Sequence, residues 1–223
     1  MDVGRPRMGP AALDDFERGM RLLDNAWIFV IAVCWLSWGW TTGADANGNG
    51  GHDHIVQGAV IALSPVLLFA IDKMRRACTG QARWAFLAVE VWGLIVAVLD
   101  PIAGYARGTI LGAGLAFVGI PVYATAMLSF TREVGIGREV RARWRRARAW
   151  SLVWAAIMLA VWASVIARRV QDGEWQDITI SGTLPIFALI ISGGLILPGM
   201  IATTAVAANG TCHALKARPG RSL

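Results

Sequence analysis

The stretch REVRARWRRARAWSLVWAAIMLAVWASVIA, residues 138–167, decides the fold of this chain. Six of the eleven residues in 138–148 are arginines, whereas the nineteen residues of 149–167 carry no charge. A helix of about twenty apolar residues, at about 1.5 Å per residue, crosses the roughly 30 Å hydrocarbon core of a bilayer. Basic residues beside such a helix mark its cytoplasmic end. The stretch therefore predicts a helix that enters a membrane from a basic cytoplasmic segment.

Further apolar segments of this kind occur along the chain, which is 56% apolar and only 16% charged. So few charges could not cover the surface of a soluble domain of 223 residues. We therefore predict an all-α polytopic membrane bundle of about six transmembrane helices, between a cytoplasmic amphipathic segment at 1–24 and a basic tail at 209–223. The predicted crossings are 25–41, 55–71, 84–104, 109–130, 149–167 and 183–208.

The basic residues fix the predicted orientation. If the amino terminus is cytoplasmic, 18 of the 21 basic residues fall on the inner side and three on the outer side. The excess of Lys and Arg in cytoplasmic loops therefore places both termini inside. The many arginines, alanines and glycines are typical of a GC-rich bacterial genome, so we expect a multi-pass protein of a bacterial cytoplasmic membrane. The same positive charge needs no nucleic acid to explain it, and no nucleic-acid partner is expected.

Two segments outside the predicted crossings have a clear pattern. Before the first crossing, Leu13, Phe16, Met20 and Leu23 recur at helical spacing, which predicts an amphipathic helix lying flat in the inner interface. Such a helix would anchor the first crossing or dock a cytosolic protein partner. The segment 42–54 is rich in Gly, Asn and Asp and predicts an outer loop. Its two histidines lack the geometry of a closed metal site, so neither metal nor cofactor is expected.

The basic run at 138–150 reads as a helix that continues into the fifth crossing. Its arginines suit the anionic headgroups of the inner leaflet, because each basic residue at that surface contributes roughly 1 kcal/mol. Membrane lipids are therefore the expected partners. The residues assigned to headgroup contact are Arg138, Arg141, Arg143, Arg145, Arg146 and Arg148.

Glu90 is the residue whose position most suggests a function. It lies within the third predicted crossing, where a charged group costs at least about 2.5 kcal/mol, so a functional role is the default hypothesis. Asp100 lies on the same helix, near its outer end. The predicted polar path comprises Glu90, Asp100, Gln57, Ser64, Thr125 and Ser192. The alternative for Glu90 is a structural hydrogen bond to a polar group on a neighbouring helix.

The residues Pro65, Pro121 and 192–194 interrupt three of the predicted helices. Transporters use such breaks to build ion and substrate sites, although kinks and close packing also use them. The chain contains neither the H-E-x-x-H motif of zinc proteases nor the G-x-S-x-G motif of serine hydrolases.

The leading hypothesis is accordingly a small transport or channel-type protein without catalytic residues. The alternatives are a noncatalytic membrane subunit of a larger complex and an intramembrane enzyme acting on lipid.

Overall fold

The structure, a computed structural model, describes residues 9–26, 51–103, 105–172, 187–188 and 190–217. Side chains are described for 9–26, 63, 65–95, 118–164, 166–167, 170–171, 187–188, 190–192 and 194–217. The described chain is all-α, with six helices and no strand. The helices are α1 (10–26), α2 (Gly51–Ala77), α3 (Gly80–Ala103), α4 (Tyr105–Glu133), α5 (Arg138–Asp172) and α6 (Leu197–Lys216), and a π-helical turn at Ser192–Ile196 leads into α6.

The helices form a bundle in which neighbours in sequence are neighbours in space. α2 packs on α3, α3 on α4, α4 on α5, and α5 on α6. Two residues join α2 to α3 and four join α4 to α5, so the members of each pair run antiparallel. The ends of α2, α4 and α6 therefore meet the starts of α3 and α5. We call this end of the bundle, with α1, the packed end.

The packed end holds the main hydrophobic core, and α1 lies within it. The Phe16 ring stacks on Phe130 of α4 with ring centroids 3.6 Å apart, and it meets the edge of Phe86 of α3 at 5.7 Å. Leu13, Phe16, Met20 and Leu23 are all at least 94% buried. The helical spacing therefore predicted the apolar face of α1 correctly. That face contacts other helices of the protein, whereas the sequence predicted contact with the membrane interface.

The turn between α4 and α5 is tightly built. Gly135, with a φ of 71°, follows the end of α4 in the left-handed conformation that favours glycine. The Ile136 N–H donates to the Thr131 carbonyl at 2.9 Å and the Gly135 N–H to the Arg132 carbonyl at 3.2 Å. These two bonds form the Schellman motif, which closes a helix and reverses the chain. The turn brings the last residues of α4 beside the first residues of α5.

The predicted crossings agree with the described helices in part. The segments 55–71, 109–130 and 149–167 lie inside α2, α4 and α5, and α5 runs unbroken from the basic run, which confirms that prediction. The first predicted crossing falls mostly on residues outside the described chain. One boundary was wrong: residues 51–54, predicted to end a loop, form the first turn of α2. The first turn of α2 consists of glycine and polar residues, so the helix begins one turn before its apolar segment.

Two stretches in the described chain, Arg138–Ser164 and Gly194–Lys216, are long and apolar enough to cross a membrane. Large apolar side chains also face outward on the bundle. On α3 they include Trp84, Leu94 and Ile95, and on α5 Leu152 and Val153. An outer surface of this kind is typical of a protein that contacts lipid or another protein.

Gly19 tests the docking of α1, because a Cβ there would lie 2.9 Å from the Ala70 carbonyl oxygen of α2. We expect Gly19→Leu to push α1 out of the core and to lower the melting temperature of the detergent-solubilised protein. Overpacking of this kind costs about 1–3 kcal/mol. Ala11→Leu, at an exposed position of the same helix, is the matched control and should change little. Equal melting temperatures for the two variants would contradict the docked position.

Candidate functional site

Glu90 lies in an ion pair that joins α2 to α3. Its Oε2 is 2.6 Å from the Nε of Arg75, and both atoms are buried. The other side of the Arg75 guanidinium contacts Asp72 at 2.5 Å, and Asp72 also binds Arg76 at 2.7 Å. Arg75 comes from the last turn of α2 and reaches along the bundle to Glu90. The pair thus neutralises the carboxylate that the sequence places within the third crossing.

Asp72 and Arg75 each favour the ionised form of the other. Burial alone would raise the pKa of Asp72, but hydrogen bonds from Arg76 and Arg75 bring that pKa below its usual value. Burial alone would lower the pKa of Arg75, but Asp72 and Glu90 together raise it. Two carboxylates and two guanidiniums therefore form a cluster without net charge, in which the loss of one partner leaves another charge uncompensated.

Two other residues of the predicted polar path have described side chains, Thr125 and Ser192, and neither is hydrogen-bonded to Glu90. The Thr125 hydroxyl is exposed and donates to the Pro121 carbonyl of its own helix at 2.8 Å. Ser192 is buried in the π-helical turn and donates to the Met158 sulfur of α5 at 3.1 Å. The side chains of the remaining three residues, Gln57, Ser64 and Asp100, lie outside the described residues. The path itself stays a prediction.

A second polar site lies where α4 ends and α5 begins. A cavity of about 260 Å³ is lined by Leu128 and Arg132 of α4 and by Arg138, Arg141 and Arg145 of α5. The three arginines of α5 are three and four residues apart, so they share one face of the helix. The turn at Gly135 adds Arg132 from the opposite side. We call this site the arginine pocket.

The arginine pocket concentrates positive charge without a counter-charge. In the part of the chain that the structure describes, none of its four arginines forms an ion pair. The Arg141 Nε is buried and has no hydrogen-bond partner there. An unsatisfied buried donor destabilises a fold by about 1–3 kcal/mol, more when it is charged. The pocket is therefore a place where an anion would gain several charge-assisted hydrogen bonds at once.

The remaining arginines assigned to headgroup contact take different positions. Arg143 lies on the face toward α6 and pairs with Glu139 at 2.5 Å. Arg146 is exposed and Arg148 is half-buried, and neither lines the cavity. Arg132 belongs to the pocket although the sequence pattern did not indicate it, because it precedes the basic run and is followed by the acidic Glu133. The signal that could have found it is the glycine turn, which folds α4 back on α5.

A third group that the sequence did not single out lies between α1, α4 and α6. Burial raises the pKa of Asp24, at the end of α1, from 3.8 to about 6. Its charge also reaches the Tyr123 hydroxyl and the Cys212 thiol. The Tyr123 hydroxyl is buried without a hydrogen-bond partner among the described residues. This group is a buried polar cluster, but it borders no cavity described in this part of the chain.

The ion pair predicts what happens when Glu90 loses its charge. Glu90→Gln leaves the Arg75 guanidinium with one carboxylate instead of two, and we expect the melting temperature in detergent to fall. The loss should be about 1–2 kcal/mol, less than the 3–5 kcal/mol of a fully buried pair, because the Arg75 and Glu90 side chains are 19% and 26% exposed.

The double variant Arg75→Gln, Glu90→Gln is the control for that experiment. It should lose less stability than the sum of the two single variants, because removing both partners leaves no uncompensated charge. A Glu90→Gln protein that is as stable as the wild type, or more so, would show that the pair is not structural and would favour the polar path.

The comparison with known proteins does not assign the chain to a family. No family model, no curated protein and no solved structure matches the chain.

Proposed function

We propose that the chain is a six-span integral membrane protein, with both ends on the cytoplasmic side, that binds anionic phospholipid headgroups through the start of α5. The observation that carries this proposal is the division of the molecule into two parts. The packed end holds most of the charged residues of the described chain and a tight core, whereas the helices leading away from it expose large apolar side chains. A bilayer is the environment that stabilises both parts together.

The lengths of the remaining helices support more than two crossings. α2, α3 and α4 contain 27, 24 and 29 residues. At about 1.5 Å per residue these helices are roughly 40, 36 and 43 Å long, which exceeds a hydrocarbon core of about 30 Å. With the apolar segment at 25–41, the proposed total is six.

The distribution of charge supports the orientation. The last turns of α2 and α6 and the first turns of α5 carry basic residues, and all of them lie at the packed end. Basic residues gather on the cytoplasmic side of membrane proteins, so the packed end is proposed to face the cytoplasm. There the arginines of α5 meet the negative surface of the inner leaflet.

Transport is the second candidate function, and the π-helical turn at Ser192–Ile196 favours it. Single π-turns inside helices are frequent at functional sites, and this one packs on α5. Its Ser192 is among the residues of the predicted polar path. The structural role of the Glu90 ion pair makes transport the weaker candidate, because a carboxylate already paired with Arg75 is less free to bind a passing cation.

The proposed topology can be measured with single cysteines in a variant whose three native cysteines are replaced. Cysteines at Asn47 and Gly173 should react with a membrane-impermeant thiol reagent in intact cells, whereas one at Gly137 should react only after the cells are opened. The reason is that Gly137 lies at the packed end, in the turn between α4 and α5. Labelling at Gly137 alone in intact cells would contradict the proposed orientation. Labelling at all three positions would show that no intact crossing separates them.

A further inference from the structure

The arginine pocket does not have the form of a flat basic surface that attracts any acidic membrane. Four arginines line one partly open cavity, and Leu128, 98% buried, contributes to its lining. Its volume is about 260 Å³. A ligand bound in this cavity contacts several of the arginines at once, which a flat surface does not allow.

Several other basic groups at the packed end are paired with carboxylates, whereas those of the pocket are not. Arg21 and Lys216 bind Glu17, Lys73 binds Asp15, and Arg75 and Arg76 bind Asp72. Even on α5, Arg143 is held by Glu139 on the neighbouring face. The described carboxylates thus pair six of the fourteen Lys and Arg side chains in this part of the chain. They pair none of the four that line the cavity, and Arg18, Arg83, Arg146 and Arg148 are also without an ion pair among the described residues.

We propose that the arginine pocket is a specific site for a ligand carrying two phosphate groups. From Arg138 to Arg145 the guanidiniums are distributed over seven residues of helix, about 10 Å along its axis, with Arg132 facing them. One phosphate accepts a bidentate pair from one or two arginines, so two phosphate groups use all four. The first turn of α5 adds the positive end of its helix dipole, which also favours an anion.

Two sources could supply this chemistry: a lipid with two phosphate groups in its headgroup and a soluble molecule with two. Only the lipid source rests on the proposed function, because it needs α5 to stand at the inner leaflet. If Arg148 marks the edge of the hydrocarbon, Arg145 lies about 4–5 Å below that edge, within a headgroup layer of about 5–7 Å. Arg138 then lies about 15 Å below it, within reach of a soluble ligand.

The test uses the full-length protein in nanodiscs of neutral lipid, with inorganic pyrophosphate as the probe and isothermal titration calorimetry as the measurement. We expect saturable binding of one pyrophosphate per chain at low salt. Arg141→Gln with Arg145→Gln should weaken it at least tenfold. Arg146→Gln with Arg148→Gln, which removes the same charge from the same helix outside the cavity, should change it less than twofold. Equal weakening by both pairs, or no saturable binding to the wild type, would overturn the proposal.

A stability measurement accompanies the titration, so that a loss of binding is not confused with a loss of folding. Four unpaired guanidiniums repel one another, so the pocket variant should melt at the same temperature as the wild type or higher. If it melts lower, Arg132→Gln on α4 provides the second test, and pyrophosphate affinity unchanged in that variant would also overturn the proposal.

Competition then separates the two sources. Cardiolipin, a lipid with two phosphate groups, should displace pyrophosphate from the pocket if the ligand is a lipid, whereas phosphatidylglycerol at equal total charge should not. Retention of pyrophosphate in the presence of both lipids would support the soluble source. Equal displacement by both lipids would contradict a site that is specific for a ligand with two phosphate groups. None of these outcomes depends on the number of crossings, so a failure here is distinct from a failure of the topology.

Discussion

The stack of Phe16 on Phe130, with Phe86 edge-on beside them, is the contact on which the rest of the packed end depends. In the hydrocarbon, apolar side chains gain nothing by leaving lipid for protein, so helices there associate only weakly through their apolar faces. Specific packing must then come from the part of the bundle that meets water. α1 provides it, because its apolar face lies among the ends of α2, α3, α4 and α6 and closes a core that water would otherwise enter.

This core also determines where charges can go. The carboxylates of α1 and α2, such as Glu17 and Asp72, lie near the basic residues that surround the core and neutralise them in pairs. The Arg75 ion pair extends the same principle upward to Glu90, where an unpaired charge would be costly. The turn at Gly135 places Arg132 against the arginines of α5 at a point that no described carboxylate reaches. Four unpaired arginines around one cavity are the arrangement expected of a ligand site rather than of a surface charged only for solubility.

Periodicity and charge predicted the helical class, the length of α5 and the spacing of the α1 face, because those depend on residues close together in sequence. Contacts between distant segments were beyond such reasoning. As the alternative to a polar path, the sequence predicted a hydrogen-bond partner for Glu90 on a neighbouring helix within the membrane. The described partner is Arg75, whose long side chain reaches Glu90 from the last turn of α2. The same limit applied to Arg132, which lines the pocket because the turn at Gly135 folds α4 back on α5. It also applied to α1, since an amphipathic face fits a membrane surface or a protein core equally well.

Hydrogen exchange of the full-length protein in nanodiscs, followed by mass spectrometry, tests most directly whether α1 is part of the core. Phe16→Ala removes the ring that contacts Phe86 and Phe130, and a buried Phe→Ala change typically costs about 3–5 kcal/mol. The account predicts that the amides at the start of α3 and at the end of α4 then exchange at least tenfold faster than in the wild type. If only the amides of α1 respond, while those of α3 and α4 exchange as before, α1 lies apart from the bundle and the account is contradicted.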